Sequence, residues 1–412
     1  MSGKPLERIG IFVAGGPAAG INSVIKGVVQ AADNHGIRVL GYRHGAKGLY
    51  EDDFMHLCRE QVENIDFLGG SVLGISRYDL REHPGSSAEI ARRLRDSGVE
   101  GLVSIGGEGT LRLANELRSE GVPIVHVPKT IDNDIRGVPQ TFGFDTAVQE
   151  ATRLLSTLKL DAEAADTWFV VEIMGRSAGH LAMESGIAAG VTNTQIPEDG
   201  AIDLDSLIEL IRSRKQAKLD WGVILVAEAC TFPGENAIRH GGRYGGVGDT
   251  LAERIEARCA DEGISLRVRT SHLGYFLRCA APTGFDREYA ARLGLCAVAG
   301  LLDSAKHGTM VCVHDDVERF IPIAKTAGEP RRVDTDGARY RAMCLLNRYA
   351  AAEQDLRERK TLRGSYPEAL AWLGDNLTPE TLDLLAARID DNAPHLIEAL
   401  LDLRDEHSGD AS

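Results

Sequence analysis

The stretch V-H-V-P-K-T-I-D-N-D-I, residues 125–135, ends an apolar run with a lysine and two carboxylates one residue apart, Asp132 and Asp134. Ligands of open α/β sheets bind beyond the carboxyl ends of the strands, so the pair stands where a substrate would. One carboxylate could accept the proton of an attacking hydroxyl while the other helps to organise a metal ion and phosphates. That division of labour belongs to phosphoryl transfer. Loops rich in Asp and Asn that merely open a helix are common, so the motif is weighed by its company. Upstream, I-G-G-E-G-T (105–110) sets Gly106, Gly107 and Gly109 around one acid, between an apolar run and a helical pattern. Glycines let the main chain approach phosphates, and Glu108 could hold a hard cation such as Mg²⁺ through oxygen. Gly15, Gly16 and Gly20 make a second glycine-rich turn, which reads equally as a phosphate cradle or as a plain tight turn. It is not G-x-G-x-x-G, and the following strand ends in Tyr42-Arg43 rather than an acid, which disfavours a dinucleotide site of the usual kind.

These loops need elements to hold them. R-I-G-I-F-V-A (8–14) reads as a buried strand, and Ile21, Val24, Ile25, Val28 and Val29 then mark one helical face closed by Gly36. I-R-V-L-G-Y-R follows as a second strand, so the chain opens with a βαβ unit. The alternation recurs through the helix E-I-A-R-R-L-R-D-S-G (89–98), strand G-L-V-S-I-G-G, helix T-L-R-L-A-N-E-L-R-S-E-G and strand V-P-I-V-H-V-P. T-W-F-V-V-E-I-M-G and W-G-V-I-L-V-A-E-A are continuous apolar runs, the mark of strands buried on both faces. The pattern predicts an α/β protein with one or two mainly parallel sheets. Beyond about residue 335 it turns strongly helical, with Thr378-Pro379 as a helix start.

The chain has 412 residues, enough for two or three domains, and a formal net charge of -15 that argues against nucleic acid and anionic membranes as partners. Its 7 cysteines are odd in number and form no C-x-x-C pair, as expected of reduced cytosolic thiols. The N-terminus lacks an apolar leader and no apolar run is long enough to span a bilayer, so a soluble cytoplasmic protein is expected.

Taken in order, G-G-E-G-T, P-K-T-I-D-N-D-I, E-I-M-G-R-S-A-G-H (172–180), V-A-E-A (226–229) and L-G-Y-F-L-R-C-A-A-P-T-G-F-D-R (273–287) resemble 6-phosphofructokinase, over about residues 8–325. The resemblance implies transfer of the ATP γ-phosphoryl group, with Mg²⁺, to the 1-hydroxyl of fructose 6-phosphate in glycolysis. Asp132 would be the base, with Asp134, Thr130 and Arg176 completing the catalytic group and Glu108 carrying the metal. Gly15, Gly16, Arg77, Tyr78, Gly107, Glu108, Gly109, Thr110 and Lys129 would meet the donor. Thr130, Ile131, Met174, Gly175, Arg176 and Tyr275 would line the sugar, Glu228 would bond its hydroxyls, and Arg269 and Arg278 would grip its 6-phosphate. An ionised Asp132 near neutral pH is expected. The implied fold is two Rossmann-like domains with the active site in the cleft between them. Residues 1–143 plus about 279–325 would bind the donor, 144–278 the sugar phosphate, and 335–406 would form a helical extension. A homodimer or homotetramer is implied.

Three departures stand out. Pro17 occupies a position where bacterial enzymes often have Asp, Thr167 stands where the common bacterial type has an arginine serving a neighbouring active site, and Y-F-L-R-C-A-A-P replaces Q-R-G-G around Arg278. They resemble the atypical branch that includes the plant and trypanosomatid enzymes. Pyrophosphate users of the family generally carry Asp at the position of Gly109, so Gly109 favours ATP. Lys129 occurs in pyrophosphate users and in ATP users of that branch. Pyrophosphate is the alternative donor, and a catalytically silent sugar-phosphate-binding regulator the alternative role.

Overall fold

The computed structural model describes residues 6–76, 78, 85–240, 243–326 and 330–347. Arg77 and residues 348–412, with most of the expected helical extension, lie outside them. In chain order the strands are β1 (Arg8–Val13), β2 (Arg38–Tyr42), β3 (Phe54–Leu57), β4 (Gly101–Gly106), β5 (Ile124–Pro128), β6 (Trp168–Ile173), β7 (Asn193–Gln195), β8 (Gly222–Ala227), β9 (Arg239–His240), β10 (Arg243–Tyr244), β11 (Val268–His272), β12 (Thr309–His314) and β13 (Val317–Pro322). The helices are α1 (Ile21–Asn34), α2 (Ala46–Glu51), α3 (Arg59–Val62), α4 (Ser86–Asp96), α5 (Glu108–Ser119), α6 (Phe144–Ala164), α7 (His180–Ala189), α8 (Leu204–Gln216), α9 (Val247–Asp261), α10 (Gly284–Leu302) and α11 (Ala338–Asn347).

The strands form two α/β sheets and a short ribbon of β9 and β10. The larger sheet has the order β13-β12-β5-β4-β1-β2-β3, and the smaller β11-β6-β8-β7. The smaller sheet is parallel throughout. In the larger one only the two outermost pairs, β2 with β3 and β12 with β13, run antiparallel. The mainly parallel α/β architecture read from the apolar runs is therefore present, and the reason is visible in burial. All residues of β4, β5, β6 and β8 are buried, as strands covered on both faces by helices must be.

The strands bearing G-G-E-G-T and V-V-E-I-M-G lie in different sheets. Helix α10 nevertheless returns to the larger sheet, crossing α1 at backbone distance. A Cβ on Gly27 would stand 2.3 Å from the Ala291 carbonyl oxygen, and one on Gly294 would stand 2.5 Å from that of Val24. Asp286 of α10 is fully buried and accepts hydrogen bonds from the N–H groups of Gly143 and Thr146, which start α6. This carboxylate satisfies orphan donors of a helix that begins after the larger sheet and leads into the smaller one.

The outer edge of the smaller sheet at β7 is closed by a side chain. Asn347, the last residue of α11, accepts from Thr194 N–H at 2.8 Å and donates to the Thr194 carbonyl at 2.9 Å. None of the seven cysteines is paired.

Candidate active site

Strand order decides which loops meet. In the larger sheet β5, β4 and β1 are neighbours, so the loops after them, carrying Lys129, Gly107 to Thr110 and Gly15-Gly16, lie side by side. In the smaller sheet β11, β6 and β8 are neighbours, which gathers Tyr275, Met174 to Arg176 and Glu228 in the same way. All six loops follow the carboxyl ends of parallel strands, the end at which open α/β sheets bind ligands.

Residues bridge the two groups. The Arg176 guanidinium lies 3.8 Å from an Asp134 carboxylate oxygen and 3.8 Å from one of Glu108. Asp132 and Asp134 are 8% and 7% exposed, against about half for Glu108 and Arg176, so the aspartate pair is walled in and its partners reach it from the wet side. Thr130 donates its hydroxyl to Asp132 at 3.2 Å and accepts the Asp132 N–H at 3.0 Å. Burial pushes the Asp132 carboxyl above the usual carboxylate range, with Arg176 pulling down and Glu228 pushing further up. Burial, and then the Asp132 charge, push Asp134 up to about 6. The expectation of a plainly ionised Asp132 thus meets a pair whose burial opposes charge, and Arg176 is the main counterweight. Ile131, between Thr130 and Asp132, is buried.

Glu228 has a structural task beyond the one expected. One of its carboxylate oxygens accepts from the N–H of Gly175 at 3.2 Å and of Arg176 at 2.7 Å. Those bonds hold Arg176 at φ 53°, the left-handed region in which a branched or long side chain rarely sits without support. Glu228 and Met174 also line an open cavity of about 490 Å³ with Glu172, His272, Tyr275 and Phe276. Arg278 stacks over the ring of Tyr275, one of the lining residues, at 4.8 Å. Its guanidinium also approaches the first glycine loop, lying 3.4 Å from where a Gly16 Cβ would be. The structure does not bring Arg269 to this group. Arg269 is exposed on β11, where alternation puts it on the face opposite His272, which lines the cavity.

Lys129 is 3% exposed, and its ammonium donates to the Gly16 carbonyl, so it ties the loop after β1 to the end of β5. Burial pulls it down to about 8. Beneath it His126, fully buried, meets Ser104 Oγ at 2.9 Å through Nδ1 and the Gly106 carbonyl at 3.1 Å through Nε2. A carbonyl can only accept, so Nε2 carries the proton and Nδ1 accepts from the serine. Burial drives His126 down to about 3, and the ring is a neutral brace under the glycine loop.

The three glycines of G-G-E-G-T differ in purpose. A Cβ on Gly106 would stand 2.1 Å from Thr110 Oγ1, so packing itself demands glycine there. Gly107 caps α5, and a Cβ there would be 3.4 Å from the Lys129 carbonyl oxygen. Gly109 is different. Its nearest neighbour would be Arg112 Nη2 at 4.0 Å and its φ is unstrained, so nothing in the protein requires glycine at 109. Gly15, at φ 87°, is needed by its own turn. Tyr78 sits 6.0 Å, ring to ring, from Tyr50.

Sequence reasoning passed over Arg331. Its guanidinium donates to the Asn133 carbonyl at 2.8 and 3.1 Å and to the Pro139 carbonyl at 2.9 Å, and its N–H donates to the Asp134 carbonyl at 2.8 Å.

Residues 8–301 match the family model described as phosphofructokinase. This chain belongs to the phosphofructokinase family. Among its phosphofructokinase relatives, the ATP-dependent 6-phosphofructokinase 2 of Streptomyces coelicolor is 36% identical over 342 residues, covering 80% of this chain and 97% of the relative. The pyrophosphate–fructose 6-phosphate 1-phosphotransferase of Amycolatopsis methanolica is 37% identical over 336 residues, 79% of this chain and 96% of that one. A crystal structure of a pyrophosphate-dependent phosphofructokinase from Marinobacter aquaeolei superposes with a TM-score of 0.70 at 18% identity, covering 83% of this chain and 91% of that chain. That likeness is one of fold.

Proposed function

We infer that this phosphofructokinase transfers the γ-phosphoryl group of ATP to the 1-hydroxyl of fructose 6-phosphate, giving fructose 1,6-bisphosphate, a step of glycolysis. The observation that carries the reading is the buried Asp132–Asp134 pair faced by Arg176 across the two groups of loops. In it Asp132 takes the hydroxyl proton, and Arg176 balances charge on the transferring group. Glu108 and Asp134 each bring a carboxylate oxygen to 3.8 Å from the Arg176 guanidinium, and such oxygens are the ligands a hard cation takes. Mg²⁺ held there with the donor phosphates would neutralise their charge. The glycine loops at 15–16 and 107–110 receive the donor. The cavity beside Met174, Glu228, Tyr275 and Arg278 receives the sugar phosphate.

The choice of ATP rests on Gly109. The fold leaves that position open, so its lack of a side chain is explained by a ligand rather than by packing. The relative from S. coelicolor is named for ATP, that from A. methanolica for pyrophosphate. Lys129, the residue that spoke for pyrophosphate, has its ammonium engaged by Gly16. The reading includes two domains divided near residues 143 and 279, each built on one sheet, and a cytoplasmic homodimer or homotetramer. Among the described residues no helix is long and apolar enough to cross a membrane.

A coupled assay of the full chain with fructose 6-phosphate, Mg²⁺ and either ATP or pyrophosphate tests this directly. ATP turnover with little pyrophosphate turnover is expected, and pyrophosphate used at least as well as ATP overturns the donor assignment. Asp132→Asn should keep the fold and lower kcat by at least about 10²-fold, the scale of losing a general base. Near-normal turnover would assign the base elsewhere.

A further inference from the structure

The loop that carries Asp132 and Asp134 is not held by its own strand alone. Asn133, between the two aspartates, sits at φ 54°. Asparagine tolerates the left-handed region better than most residues, yet the conformation persists only when its surroundings hold it. Two sets of bonds do so. From inside the loop, Thr141 N–H donates to Asn133 Oδ1 at 3.0 Å and the Thr141 hydroxyl donates to the Thr130 carbonyl at 2.8 Å. From outside comes Arg331, some 200 residues away along the chain. Its planar fork spans two main-chain carbonyls, those of Asn133 and Pro139, while its own N–H takes the Asp134 carbonyl. Every partner is a backbone oxygen, so the guanidinium fixes the path of the loop and leaves both carboxylates free for chemistry.

The residues that follow reach the other side of the site. Arg332 donates to the Ser177 carbonyl at 2.5 Å, next to the Met174-Gly175-Arg176 loop. Val333 N–H donates to Glu198 at 3.0 Å, and Glu198 also accepts from the Gly179 N–H. Residues 331–333 therefore touch both the loop after β5 and the loop after β6.

We propose that Arg331 is a positioning residue for the phosphoryl transfer, holding the Thr130–Asp134 loop so that the carboxylates of Asp132 and Asp134 meet Arg176 in register. This rests on the reading of Asp132 as base. Arg331 touches no reacting atom in it. Its effect falls chiefly on the chemical step, because most of the sugar cavity is built from β6, β8 and β11 and a displacement of the loop by a fraction of an ångström shifts only Thr130 and Ile131 of the sugar's expected lining.

The test compares wild type, Arg331→Ala and Arg331→Lys at a temperature where circular dichroism finds them folded. Arg331→Ala should lower kcat about ten-fold or more while KM for fructose 6-phosphate moves less than about three-fold. Arg331→Lys should also lose kcat, since an ammonium does not span two carbonyls as a fork does. A smaller kcat effect in Arg331→Ala, or a loss confined to KM, overturns the proposal. Should the alanine variant fail to fold, the lysine variant decides, and wild-type kcat in it overturns the proposal. Wild-type enzyme inactive with fructose 6-phosphate would instead sink the function itself, so the two failures are told apart.

Discussion

Asp134 is 7% exposed beside a like-charged neighbour, so at neutral pH its ionised form is held against both burial and repulsion. A carboxyl whose folded pKa is raised to about 6 adds stability that is full below its unfolded value near 4 and is lost as pH rises through 6. Asp134→Asn keeps the neutral shape at every pH. The ligand-free variant should therefore melt higher than wild type at pH 8, with the gap narrowing as pH falls toward 5. A gap that is constant across this range, or reversed at pH 8, would mean that Arg176 outweighs burial. Gly109 can be tested in the same way. Because a side chain there meets only Arg112, Gly109→Asp should fold normally. Its carboxylate would add bulk and like charge beside the α-phosphate of ATP, a heavy penalty in a water-poor cleft. The variant should lose kcat/KM for ATP far more than for pyrophosphate, and equal losses would refute the argument. Asp132, Asp134, Glu108 and Gly109 could be read from sequence because their motifs stand at strand ends in a fixed order. Arg331 could not, since its partners are backbone carbonyls that no residue pattern names. The second task of Glu228, holding Arg176 in a left-handed conformation, was hidden for the same reason.

Among the elements, the central strands were legible because each is a continuous apolar run, and the helices because their apolar residues recur on one face. β1, α1, β2, β4, α5, β5, β6 and β8 all fall where those patterns put them, within a residue or two at the ends. What the patterns did not give were the edges. β3 has only four residues, one of them buried, and β13 has no buried residue, so neither buries enough to leave an apolar signature. The turn between β12 and β13 places Asp315 and Asp316 at φ 51° and 60°, the paired left-handed geometry of a tight hairpin. Aspartates tolerate it without the Asn-Gly or Asp-Gly pair that would have announced it. The glycines between α1 and α10 were likewise silent in sequence. Gly27 and Gly294 look like poor helix formers until the crossing is seen, where each lets one backbone touch the other.

For the whole molecule, what joins the two sheets was not readable from composition or charge. The asparagine at the end of α11 has a further consequence. A sheet edge is a template on which other chains can add strands, and proteins blunt such edges by design. At β7 the blunting is done by one carboxamide, which answers both the N–H and the C=O of Thr194 as a neighbouring strand would. Asn347→Ala takes away this false strand and leaves the catalytic loops untouched. On mild heating the variant should scatter more light, sooner, than wild type at equal concentration, with kcat unchanged beforehand. Identical scattering curves would mean that β7 is too short to recruit a partner. If the difference appears, colloidal behaviour in this enzyme hangs on one amide group at a sheet edge.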